Sequence, residues 1–239
     1  MTNESSLRRP AIPFLASGAA LVLLGCGLAA CSSGTSADSQ ADTTLHTLSS
    51  ALTAGQSHTE ALTYTSVGIT EGSPNPVTAV LEKAPLKSRF SLSSPSGGPV
   101  ESVIETGKIT YFCSSPAVDG VTTSALVDAT CTEEAGNADP LSSAQSAYSP
   151  QLALTLFQTA EAQLKANVAG TQVSITKRTF AHHAATCVVF GKNGADGTYC
   201  VTASGVLAYA GEKGSNITLV ADTAVPPNAF SVPASLPAG

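Results

Sequence analysis

Few side chains in this 239-residue chain have types and spacings that could do chemistry. Six are cysteines: Cys26, Cys31, Cys113, Cys131, Cys187 and Cys200. Ser174 and Lys177 stand in the Ser-x-x-Lys spacing, in which a lysine can serve a nucleophilic serine. That use needs the serine at the start of a helix. Here Gln172–Phe180 alternates as a strand does, and no Lys-Thr-Gly accompanies it. The Gly-x-Ser-x-Gly elbow is also missing. His182 and His183 are adjacent, but no His-Glu-x-x-His occurs and no carboxylate stands at ligand spacing, so they read as a loop or strand-edge pair. His46 and His58 read as surface residues and Glu133-Glu134 as solvated charge. The expectation is a protein that is not an enzyme, with no catalytic, metal-binding or cofactor-binding residues.

The N-terminus is more informative. Arg8-Arg9 precede an apolar run from Ala11 to Leu28, and the small residues Ala29-Ala30 follow. Charged start, apolar stretch and small residues make a secretory signal. Pro13, Gly18, Gly25 and Gly27 interrupt the run. It barely reaches the roughly 20 apolar residues of a membrane span, and no stop-transfer charges follow. Leu28-Ala29-Ala30-Cys31 resembles the lipobox of bacterial lipoproteins. Leu23-Leu24-Gly25-Cys26 is a second such string, less suited because it lacks paired small residues before the cysteine. The resemblance implies cleavage before Cys31 and a diacylglyceryl thioether on its sulfur. Two or three acyl chains hold firmly, since each buried CH₂ adds roughly 0.8 kcal/mol. A bacterial lipoprotein also makes Asn216-Ile217-Thr218, which matches a glycosylation sequon, irrelevant. The expected organisation is a signal peptide at 1–30, a flexible Ser/Gly-rich tether at 31–40 and one domain at 41–235. The expected placement is the extracytoplasmic side of the cell membrane.

Composition narrows the partners. The chain carries 11 basic and 17 acidic residues. Loss of 1–30 would remove two basic residues and one acidic, leaving it one unit more negative than −6. An acidic domain without tryptophan has no footprint for nucleic acid, and its membrane contact should come through the anchor. The four cysteines beyond the signal imply disulfides in an exported domain, with three possible pairings. The sequential one, Cys113–Cys131 and Cys187–Cys200, is preferred. Thr186–Phe190 and Thr198–Thr202 read as two strands of a hairpin around a Gly-rich turn, which brings facing cysteines within bonding range.

Periodicity supplies the elements. Leu45, Leu48 and Leu52 recur on one face of a helix that Gly55 ends. From Ala61 to Tyr111 the period falls to two. Strands are expected at 62–69, 77–83, 87–92, 100–105 and 108–113, with turns at 74–76, 94–99 and 106–107. Residues 114–148 have weak periodicity, with turn signals at 119–120 and 137–140. Ser149-Pro150 opens a second helix. Leu152, Leu156, Phe157, Ala160 and Leu164 line one side of it, and Gly170 is expected to close it. Strands resume at 172–180, in the cysteine hairpin, at 205–210 and at 215–223. The fold class is therefore α+β: a curved antiparallel sheet with two helices covering its concave face.

That layout resembles the half-barrel of LolA-type lipoprotein carriers and of actinobacterial LppX/LprG-type lipoproteins. The strings that carry the likeness are Ala61–Thr65 after the first helix, Glu82–Phe90 followed by Val103–Tyr111, and Cys200–Leu207 ending at Phe230-Ser231-Val232-Pro233. The resemblance implies an apolar cavity that binds a lipid, a lipoprotein or another hydrophobic ligand, and Leu152, Leu156, Phe157 and Leu164 are the candidate lining. The alternative is a cell-envelope protein-interaction or sensor module whose interior is filled. Cavity size separates the two.

Overall fold

A computed structural model of the chain describes residues 35–68, 76–94, 98–116, 126, 128–134, 141–191, 196–212 and 214–233. The expected signal segment at 1–30, with Cys26, as well as Cys31 and the turn signals at 119–120 and 137–140, lie outside them, as do most of 74–76 and parts of 94–99 and of the Gly-rich turn.

Eleven strands form one antiparallel sheet: β1 Glu60–Val67, β2 Val77–Ala84, β3 Lys87–Ser93, β4 Val100–Thr106, β5 Ile109–Ser115, β6 Thr130–Glu134, β7 Val173–Phe180, β8 His183–Phe190, β9 Gly197–Thr202, β10 Leu207–Glu212 and β11 Ser215–Thr223. Their order is β6-β5-β4-β3-β2-β1-β11-β10-β9-β8-β7. Two hairpin meanders therefore meet where β1 pairs with β11, and the sheet is open at β6 and β7. The β7–β10 region coils strongly. Phe180 of β7 stacks on Tyr209 of β10 at 5.8 Å although two strands lie between them. His183 Nε2 of β8 likewise comes within 3.6 Å of Asp222 Oδ2 on β11.

Alternation sorts the first half of the sheet into two faces. Leu62, Leu81, Phe90, Val103 and Phe112 stand opposite one another across β1–β5. All belong to, or pack against, the main core. Ala61, Glu82, Arg89, Ile104 and Tyr111 form the neighbouring row on the other face.

Three helices are described. Helix α1 is Thr35–Gly55, α2 is Ser142–Tyr148 and α3 is Gln151–Lys165. Residues 35–40, expected to be tether, are the opening turns of α1. The hydroxyls of Thr43, Thr44 and Thr47 donate to carbonyls four residues back, which uses their one donor within the helix. Leu45, Leu48 and Leu52 face the main core as their spacing requires. Gly55 ends the helix against the β9–β10 turn: a Cβ there would lie 2.4 Å from the Gly205 carbonyl oxygen.

Helix α3 starts one residue later than expected, with Pro150 rather than Ser149 at the cap, and the Ser149 hydroxyl accepts from Gln151 N at 3.2 Å. Gly170 does not close the helix. Asn167 does, at φ 49°. Val168 N donates to Gln163 O and Asn167 N to Leu164 O, both at 3.0 Å, which is a Schellman ending with asparagine in the left-handed position. Two elements inside 114–148 were not expected from periodicity, β6 and α2. Both are too short to display a period. Among the described residues no helix is long and apolar enough to cross a membrane.

Candidate functional site

The space between helices and sheet is where a cavity was expected, and large side chains occupy it. Tyr148, at the end of α2, lies with its ring 5.6 Å from that of Tyr64 and 5.4 Å from that of Phe90. Its hydroxyl donates to Ser66 Oγ at 2.7 Å. The Tyr64 hydroxyl donates to the Leu207 carbonyl at 3.0 Å. Both phenols are therefore buried and bonded, and burial raises the pKa of each. Phe157 of α3 is fully buried and packs between Phe190 and Tyr199. The Tyr199 hydroxyl in turn bonds Glu212 Oε1.

The four expected lining residues separate accordingly. Phe157 fills the core. Leu164 packs partly buried against it. Leu156 lines a half-open groove of about 260 Å³ with Thr159, Gln163, Val173 and Phe190. Leu152 is 55% exposed. The apolar stripe read along α3 is wider than the face the sheet covers, and Leu152 falls outside that face.

A second half-open pocket, of about 220 Å³, lies where the end of α1 meets the start of α3 and strands β2 and β3. Leu81 and Pro150 form its apolar part. Gln56, Gln145, Gln151 and Ser88 supply amides and a hydroxyl. Lys83 also lines it, paired to Glu60 at 2.7 Å. Ser88 Oγ donates to Glu105 Oε2 at 2.5 Å. Both pockets fall below the roughly 300–1,000 Å³ usual for small-molecule sites.

The opposite face carries a smaller core. Ile104 and the Cys113–Cys131 disulfide are buried there, with Tyr111, Leu126, Phe230 and Val232 packed on them. Residues 226–233 therefore cross this face as a strap. Under it lie Glu82 and Arg89, directly opposed on β2 and β3, their charged atoms 3.6 Å apart. Arg89 Nε donates to Ser91 Oγ at 3.0 Å, and Nη1 reaches the Ala229 carbonyl at 3.5 Å. Ser102 Oγ donates to Ser91 Oγ at 2.7 Å. Burial pushes the Glu82 carboxyl above its ordinary range, against the lowering effect of Arg89. The pair was legible in principle. A two-residue turn makes equidistant residues face each other, and Glu82 and Arg89 each lie three residues from Pro85-Leu86.

The second disulfide joins Cys187 to Cys200 across β8 and β9, so both bonds follow the sequential pairing. Ser174 and Lys177 sit on strand β7 rather than at a helix start. His182 occupies the β7–β8 turn at φ 68° and His183 begins β8. His46 is largely exposed, its Nδ1 3.4 Å from Glu161 Oε1. Among the described residues no three histidine, cysteine or acidic side chains gather to hold a metal.

Comparison with known proteins leaves the family open. No family profile and no curated protein matches the chain. Among solved structures it is similar to MucB in complex with MucA(peri), at 13% identity and a TM-score of 0.42, over 80% of this chain and 60% of that one. It is also similar to the Pseudomonas aeruginosa MucA/MucB complex, at 12% identity and a TM-score of 0.41, over 82% and 62%. The chain thus spans about 60% of the length of the MucB structure.

Proposed function

We propose that this protein is an extracytoplasmic, lipid-anchored module that works by binding another protein, with a filled interior and no catalytic role. The observation that carries the reading is Tyr148. Its ring and bonded hydroxyl take the space that an acyl chain would need between α2 and the sheet. Interiors packed with interlocked aromatic rings resist opening, because truncating one costs about 3–5 kcal/mol. The half-barrel likeness to LolA-type and LppX/LprG-type lipoproteins supplies a layout, and layout does not fix a ligand. Two disulfides suit an oxidising compartment outside the cytoplasm. The apolar N-terminal run and Cys31 supply export and anchoring.

Site-specific photocrosslinking in the native host tests the reading. A photoreactive residue is placed in turn at Leu86, Ile109, Leu152 and Val220, which are exposed apolar positions. A discrete protein adduct at one or more of them is expected. Crosslinks to lipid alone, or no adduct at any position, would overturn it.

A further inference from the structure

The sheet has two edge strands, and they are not alike. Edge strand β6 has five residues and closes on Glu133 and Glu134. Edge strand β7 has eight, with no proline and an unbroken register against β8. Its middle, Thr176–Thr179, is exposed. Natural sheets shorten, bulge or cover such edges, because unpaired N–H and C=O groups there invite another strand.

The register shows which backbone groups of β7 point outward. Ala181 and His182, at φ 46° and 68°, form the two-residue turn to β8, so Phe180 and His183 close the hairpin as a hydrogen-bonded pair. Such pairs recur at every second residue of an antiparallel ladder. They fall at Arg178, Thr176 and Ser174, and Gly191 N donating to the Gln172 carbonyl at 2.9 Å continues the series. The N–H and C=O groups of Val173, Ile175, Lys177 and Thr179 therefore face away from β8. Among the described residues no segment hydrogen-bonds to them. Donors and acceptors alternating at strand spacing are met in register by another peptide strand, and by neither a bilayer nor a nucleic acid.

The edge is basic on an acidic chain. No aspartate or glutamate occurs from Ala162 to Ala195, on a chain of net charge −6. Lys177 and Arg178 stand side by side at the exposed middle of β7, and neither has an ion-pair partner among the described residues. The acidic groups near the strand lie at its ends. Asp222 is taken up by His183 at 3.6 Å, and Asp196 lines the 260 Å³ groove beside Val173. Lys177 is about 13 Å along the strand from Val173, at roughly 3.3 Å per residue. A second copy of the chain would set Lys177 and Arg178 against their own likenesses, which repels. An acidic strand is attracted by the same pair.

The strand is also held ready. Val173 and Ile175 pack against the main core, and Phe180 stacks on Tyr209 at 5.8 Å. Binding there has little of β7 left to order.

We propose that β7 is a docking edge, on which an extended acidic segment of a partner protein adds as a twelfth strand, its carboxylates opposite Lys177 and Arg178. The proposal rests on the protein-binding reading above and names its surface.

Panning displayed random dodecapeptides against the full chain, purified as the cell processes it, supplies the probe. Enriched peptides should share two adjacent acidic residues among β-branched ones, because Lys177 and Arg178 project to opposite faces and an added strand alternates in step. A synthetic copy of the most enriched peptide is then added to the isotope-labelled chain, and amide hydrogen exchange is followed by NMR. In the free chain the amides of Ile175, Lys177 and Thr179 should exchange faster than those of Ser174, Thr176 and Arg178. With peptide bound, the first set should slow at least about tenfold. Thr179→Pro deletes an outward N–H and no ladder bond, so it should weaken binding at least about tenfold, whereas Thr179→Ala should bind as the parent does. Lys177→Glu/Arg178→Glu, altered only at exposed side chains, should weaken binding at least about tenfold and keeps the test open if the proline unfolds the hairpin. The proposal is overturned by no enrichment, by enriched peptides without carboxylates, by unchanged exchange at the outward amides, or by undiminished binding to the charge-reversed variant. Any of these, with a protein adduct at one of the crosslinking positions above, discards the edge and keeps the protein-binding reading. No enrichment and no adduct together discard both.

Discussion

At the scale of single residues, Glu82 decides how the outer face responds to acid. Its carboxylate is buried beside Arg89, and burial outweighs the attraction of the guanidinium in raising its pKa. Between the ordinary glutamate value of 4.5 and that raised value, the folded chain holds more protons than the unfolded chain. Stability contributed by this group therefore falls as pH rises through the window and returns on acidification. Arg89 stays charged throughout and adds no slope of its own. Glu82→Gln removes the titrating group. The difference in thermal midpoint, variant minus parent, should grow more positive from about pH 4 to about pH 7. Calorimetry at matched ionic strength checks this, and a difference that shrinks with rising pH would mean the ion pair dominates. Tyr148 tests packing at the same scale. Tyr148→Phe should cost about 0.5–1.5 kcal/mol for the lost bond to Ser66, measured by denaturant unfolding.

Elements are where the sequence and the fold part company, and the reasons are physical. The leucines of α1 announce its buried face because three residues at helical spacing must be covered by something. Its opening turns are rich in serine, threonine and aspartate, which read as tether because their side chains compete for backbone groups. The carbonyls of Ser39 and Gln40 instead accept from the Thr43 and Thr44 hydroxyls one turn on. Strand β6 has five residues, too few to display a period, and it pairs with β5 where the expected Cys113–Cys131 bond joins them. The strap at 226–233 has no periodicity to announce it, because Pro226-Pro227 forbids regular structure, yet Phe230 and Val232 cover the second core. Helix α1 is seated by close approach: a Cβ on Gly205 would fall 1.9 Å from the Ala51 carbonyl oxygen, and Gly205 has φ 83°. Gly205→Ala should therefore cost at least about 2 kcal/mol, combining backbone strain with displacement of the helix. Denaturant unfolding checks it, and a neutral effect would show that α1 is loosely held. Reducing the two disulfides should cost about 3 kcal/mol each on the loop-entropy account, seen as a drop in the denaturation midpoint with reductant.

For the whole molecule, the α+β class and the antiparallel meanders followed from alternation and turn chemistry, since short connections permit little else. The β1–β11 pairing that joins two meanders into one sheet did not follow. It links residues far apart in the chain, such as Tyr64 and Leu219. The candidate site was least legible. The leucines of α3 suggested a lining, but whether an apolar stripe faces a cavity or a filled core depends on which side chains arrive from elsewhere. Here Tyr148 arrives from α2, a helix too short to be read in advance.

Mass spectrometry of organic extracts, made from the Cys31→Ala chain purified without detergent, tests the central claim most directly. That variant has no sulfur at position 31 to acylate, so lipid held non-covalently is read apart from that anchor. The account predicts no lipid approaching one equivalent per chain. A reproducible, near-stoichiometric lipid in those extracts would contradict a filled interior.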